Sequence, residues 1–255
     1  MPGNPRTRPK LRLWAVVFWL AVWQAGSMLI DQEIVLVSPL AVLVRLTQLL
    51  PTGEFWRSVG NTLGRITLGF VLGAAAGTLL AVLSAKFRRA EELLAPLLLA
   101  VKAVPVASFI ILALILFSSK NLAVLISFLM VLPLLYSNVL EGIRSSDRQM
   151  AEMARVFRIP VMRRLRYIDL PQIFPYFRSA CAAGVGMGWK SGVAAEVIGM
   201  PNGSIGEKLQ QAKVYFDTPD LFAWTLVIVM VSLAFERVFG LLLGRVSRWT
   251  ERMAP

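Results

Sequence analysis

Histidine is absent from these 255 residues, and cysteine occurs once, at Cys181. Without histidine the chain lacks the commonest metal ligand and the commonest general base, which argues against zinc, haem and Ser-His-Asp chemistry. One cysteine excludes a disulfide within the chain. Acidic residues are scarce as well: 15 Asp and Glu stand against 27 Lys and Arg, a net charge of +12. In a soluble chain that excess would point to nucleic acid. Here the basic residues sit at the ends of apolar blocks, where membrane orientation accounts for them better. Hydrophobic residues make up 56% of the chain, and they are grouped in runs of about 20, the length that crosses a bilayer as a helix.

The runs predict an all-α polytopic membrane protein with six spans, at about 13–31, 60–84, 91–117, 121–141, 173–199 and 221–243. The run from Leu13 to Ile30 is long for a signal peptide and no small-residue cleavage site closes it, so it reads as a retained first span. Ser38-Pro39 is a helix start, and Leu40, Val44 and Leu49 mark the apolar face of a short helix at the membrane surface. With the N-terminus inside, 18 of the 27 Lys and Arg fall on the cytoplasmic side and 5 outside. This bias places both termini in the cytoplasm. The expected organisation is a cytoplasmic tail at 1–12, one transmembrane domain at 13–245 with a cytoplasmic loop at 142–172, and a second tail at 246–255.

Glycines recur at four-residue spacing in the second span (Gly69, Gly73, Gly77) and the fifth (Gly184, Gly188, Gly192). Small residues let helix backbones approach closely in lipid. For the second-span stripe, helix packing suffices; for the fifth-span stripe, a path or a subunit contact stands equally open. Charges inside spans need an explanation, because one near the bilayer centre costs at least ~2.5–3.5 kcal/mol. Lys102, Trp189, Lys190 and Glu196 are the candidates for a translocation path. The competing readings are that Lys102 and Lys190 reach headgroups or another helix, and that Glu196 reaches water at the outer end. Arg65 needs no more than snorkelling. Gly184 to Ser191 faintly imitates a phosphate loop, but Trp189 stands where the pattern needs glycine before Lys190. No nucleotide site is legible, so any ATP and Mg would be bound by another polypeptide, and the chain itself is expected to need no cofactor or metal.

Between the fourth and fifth spans, Gly142 to Arg178 is polar and arginine-rich. Asp147 caps a predicted helix over 147–158, with Met150, Met153, Ala154 and Phe157 at helical spacing. Pro160 stops it. A second helix is expected over 161–169 and ends at Leu170-Pro171. Two apolar faces on one basic knob call for a groove to fill.

The loop resembles the coupling loop of ABC importer membrane subunits, whose pattern is Glu-Ala-Ala, three residues, Gly, then Ile-x-Leu-Pro. Here the residues are Glu152-Met153-Ala154, Arg158 at the glycine position, and Ile168-Asp169-Leu170-Pro171. Arg65 to Phe70, Ala195 to Gly199, Gly203 to Gly206 and Asp217 to Ala223 resemble signatures of the nitrate/sulfonate/taurine-type permeases, and the likeness runs over about 35–250. It implies a permease of the bacterial inner membrane. Two copies, as a homodimer, would form the path for a small anionic solute, two cytoplasmic ATPase subunits would each receive one coupling loop, and an extracytoplasmic solute-binding protein would deliver the solute. It assigns ATPase coupling to Glu152, Met153, Ala154, Phe157, Arg158, Leu170 and Pro171. An ion-coupled secondary transporter is the alternative; such proteins usually carry acidic residues deep in several spans, and internal repeats. A lipid-modifying enzyme lacks a catalytic constellation.

Overall fold

The computed structural model describes residues 13–30, 32 and 35–251, and among these every regular element is helical. The expected tail at 1–12 lies outside the described residues, as do the last four residues of the tail at 246–255. α1 (Leu13–Ile30) buries none of its residues. A helix that is apolar all round and unburied by its own chain is suited to lipid. Trp23 tethers it, its Nε1–H donating to the Val37 carbonyl at 3.0 Å.

α2 (Pro39–Leu49) starts as expected, with the Ser38 hydroxyl accepting from the Ala41 N–H at 3.2 Å. Its inward face differs from the expected one. Val42 is buried, whereas Leu40 and Val44 are exposed. The last helix sets this orientation: Arg45 pairs with Asp220 at 2.9 Å and Val42 packs beside Ala223.

α3 (Gly53–Lys86) is longer than the expected second span, because Thr52 caps it seven residues early by accepting from the Phe55 N–H. The third expected span is not one helix. α4 (Arg88–Ala103) and α5 (Val106–Leu116) meet at a 106° bend. Pro105 lacks an N–H and holds Val104 in extended geometry, so the helix ends there and restarts.

α6 (Ser119–Arg144) and α9 (Leu170–Gly199) complete a central trio with α3. Gly69, Gly73 and Gly77 lie over the carbonyls of Val124, Phe128 and Leu132 on α6; a Cβ on Gly77 would stand 2.6 Å from the Leu132 oxygen. Gly188 and Gly192 face Val131 and Ile66, with no room for a methyl at Gly192. The fifth-span stripe therefore packs against the chain's own α3 and α6.

The loop holds α7 (Arg148–Val156), α8 (Val161–Arg164) and a π turn (Leu165–Asp169) that runs straight into α9. Leu170-Pro171 does not end the second loop helix as expected. The Leu170 N–H bonds the Leu165 carbonyl five residues back, and this wider turn precedes a proline that has no N–H for the α ladder. On the other side, α10 (Ile205–Val214), unforeseen from sequence, leads to α11 (Thr218–Glu251), which extends the last span into the expected tail. Among the described residues, four helices are long and apolar enough to cross a membrane alone, and α4–α5 makes a broken fifth. α9, at 30 residues, is long enough to span but is not in that apolar set.

Candidate functional site

The loop end of α9 is built from an elbow. Asp147 caps α7 by accepting from the Gln149 N–H at 2.8 Å, and its own N–H donates to Gln172 at the root of α9. α7 ends with the Ile159 N–H on the Ala154 carbonyl and the Arg158 N–H on the Arg155 carbonyl. That is the paired closure that places its penultimate residue in the left-handed region. Arg158 sits there with φ 52°, at the position where the resembling pattern carries glycine. Ala154 is buried under the elbow, while Met153 and Phe157 are exposed, Phe157 to 73%. Glu152 and Arg158 face outward beside them. Leu170 and Pro171 stand apart from this face, at the root of α9 beyond the π turn, where Arg164 and Asp169 pair at 3.4 Å.

The opposite end of α9 is wired shut. Glu196 is fully buried. The Thr62 hydroxyl donates to its Oε2 at 2.6 Å, and Arg65 Nη1 lies 3.4 Å from its Oε1. Thr62 in turn accepts from the Ile205 N–H at 3.0 Å, which ties in the start of α10. Asn61 donates to the Gly203 carbonyl, and the Gly203 N–H donates to Glu207. Ser204 caps α10 by accepting from the Glu207 N–H. Gly206 lies so close to Glu196 that any Cβ would collide with its backbone. Arg65 therefore does more than reach for headgroups.

Of the four residues expected on a path, Lys190 stands on a groove. Lys190 is exposed and lines an open groove of about 470 Å³ between α9 and the start of α5, with Val106, Gly186 and Ser191. Lys102 donates to the Ser137 hydroxyl at 2.7 Å and does not line it. Trp189 and Glu196 point into the helix core, Trp189 packing on Phe235 at 6.0 Å. The structure does not gather the four together. It adds two features that sequence reasoning missed. The first is the start of α5, whose N-cap Pro105 offers no side-chain hydrogen bond. The second is Glu236 on α11, which lines a groove of about 690 Å³ with Arg178 and Arg237. An acidic residue inside the expected sixth span was the signal for it.

Long apolar helices, an exposed elbow and a buried knot at the far end of α9 fit a membrane permease. The model of the family of binding-protein-dependent transport system inner membrane components matches residues 69–252, and the chain belongs to that family. It is an ABC transporter permease. It is 26% identical over 251 residues to a Bacillus subtilis permease named for aliphatic sulfonate transport, SsuC, covering 97% of this chain and 90% of that one. It is 31% identical over 260 residues to the riboflavin transport permease RibX of Chloroflexus aurantiacus, covering 96% and 95%. Its fold matches a chain in the crystal structure of an amino acid ABC transporter with a TM-score of 0.58 at 19% identity, over 81% of this chain and 96% of that one.

Proposed function

We propose that two copies of this chain form the translocation path of an ATP-driven importer, and that the elbow between α7 and α8 docks on a separate ATPase subunit. The observation that carries this reading is the left-handed turn at Arg158, which sets an exposed apolar face (Met153, Val156, Phe157) on a basic knob. Such a face is left largely uncovered by its own chain and is suited to a partner's groove. Glu152 stands at its edge to pair with a cation there. The partner supplies the ATP and Mg chemistry, and a binding protein delivers solute at the other side. The 18-to-5 bias of Lys and Arg supports a cytoplasmic knob and cytoplasmic termini. Glu152→Lys should abolish transport while the protein still inserts at normal levels. Normal uptake by that variant would remove the coupling assignment.

The solute reading is a small anion, of the sulfonate, taurine or nitrate kind. Lys190 lines the groove without a carboxylate partner among the described residues. Beside it α5 restarts after the break at Pro105, and a half-helix start carries free N–H groups and a positive dipole end. The relatives named for sulfonates and for riboflavin show that the family alone does not select the solute. Lys190→Met should slow uptake of an anion while basal ATPase activity of the assembled transporter persists. Unchanged anion uptake would make the lysine structural.

A further inference from the structure

We propose that the polar cleft where α3, α4 and α6 meet on the elbow side holds the headgroup of an anionic phospholipid. The cleft, about 510 Å³, is lined by Ser84, Ala85, Lys86, Arg88, Glu91 and Arg144, three cations against one carboxylate. Arg144 pairs with Glu91, and Arg88 with Glu92 at 3.1 Å. Lys86 has no carboxylate partner among the described residues; its ammonium lies 5.3 Å from the centre of the exposed Phe87 ring. The floor is closed by the buried Ser84, which accepts from the Tyr136 hydroxyl. One charge is therefore free to meet a phosphate and two more can share theirs.

The source of the phosphate is argued from the helix above the cleft. Leu79, Val82 and Leu83 are exposed, at seven, four and three residues before Lys86. At these spacings they share one face of α3 with it. That face continues through Leu72 and Leu68, on the side away from the glycine stripe. From Leu72 to Lys86 is about 21 Å at 1.5 Å per residue, enough to carry an acyl chain through one leaflet. A cation at the foot of an apolar stripe, beside an aromatic ring, matches a lipid from headgroup to tail. A free phosphate would use only the cleft. Basic pockets between membrane helices are recurrent sites for anionic headgroups. The cytoplasmic side of this cleft rests on the orientation proposed above, but binding itself does not.

The test uses the purified full chain in detergent and counts retained lipid by native mass spectrometry, after adding dioleoylphosphatidylglycerol or dioleoylphosphatidylcholine. Phosphatidylglycerol should be retained in preference to phosphatidylcholine. The double variant Lys86→Gln/Arg88→Gln should lose roughly tenfold in affinity, since one free and one shared cation are removed. Lys86→Gln alone should lose less, and Lys213→Gln, far along the chain at the other end of the bundle, nothing. Equal retention of both lipids would overturn the proposal, as would equal loss in Lys213→Gln. Displacement by millimolar inorganic phosphate would reassign the cleft to free anions. If the double variant fails to fold, Lys86→Gln alone decides between loss and no loss. Detergent has no sides, so a negative result leaves the orientation standing; labelling of the termini in intact cells tests that separately.

Discussion

The two ends of α9 are built on opposite plans. At Glu196 the helix is locked into α3 and α10 by a buried carboxylate whose oxygens meet Thr62 and Arg65. At Leu170 it passes through a π turn into an elbow whose apolar side chains face outward. Buried polar groups that are fully partnered make one arrangement rigid. An exposed apolar face awaits a partner, and a single backbone turn holds its shape. If the elbow docks as proposed, the contrast suits a lever: one end would be a fixed pivot and the other the point where force enters. Rigid-body motion of such a helix would carry displacement from the elbow toward Lys190, which lies between the two ends.

The largest effect should come from breaking the pivot. Glu196→Ala leaves Arg65 and Thr62 facing an emptied core, and removing one member of a buried pair costs about 3–5 kcal/mol. We expect a sharp fall in melting temperature in detergent and poor accumulation in the membrane. Thr62→Val should cost less, about 1–3 kcal/mol, by leaving the Ile205 N–H and one Glu196 oxygen unmet. If either variant melts like the parent, the knot at Glu196 is not what holds α9.

At the other end the expectation reverses. Phe157→Ser removes exposed surface and should leave the stability of the isolated chain within about 0.5 kcal/mol of the parent. Binding of the ATPase subunit should weaken by about 2 kcal/mol, the size of a hot-spot truncation. A fall in stability without a change in association would mean that the elbow packs on its own chain, and the contrast between the ends would vanish.

How much of this was legible in the sequence differs along the same helix. The elbow was readable because its residues are neighbours: Asp147, Met153, Phe157 and Pro160 carry cap, face and stop within one short stretch. The knot at Glu196 is visible in the sequence only as motifs. Arg65, Glu196, Gly203, Ser204 and Gly206 were each part of a quoted signature, yet Arg65 read as snorkelling and Glu196 as a path residue. Their contacts join residues more than 130 positions apart, and periodicity along one helix carries no information about such partners. The same limit hid the inward turn of Trp189. Local chemistry was readable in kind but not in degree. Pro105 signalled a kink in the third span, and the backbone turns by 106°. Pro171 read as a stop, because the option of a wider turn is invisible to a rule about missing N–H groups. α10 was missed because its ten residues carry no long apolar run.

The smallest effect, and the most direct test of the elbow, is at Arg158. A residue with a Cβ in the left-handed region costs about 1–2 kcal/mol, and Arg158 occupies that region while two hydrogen bonds close around it. Arg158→Gly should relieve the strain, less a few tenths for glycine's greater freedom when unfolded. Net gain should be about 1 kcal/mol, local to the elbow. The Ile159 amide, bonded to the Ala154 carbonyl, should exchange its hydrogen about fivefold more slowly. Arg158→Ala removes the same charge but keeps the strained backbone, so it should gain nothing. If both variants protect Ile159 equally, the guanidinium rather than the backbone governs the turn. If glycine alone protects it, the arginine is kept at a cost in strain, and its charge is then the feature to test against the ATPase partner by comparing ATPase association of the two variants, which should weaken alike.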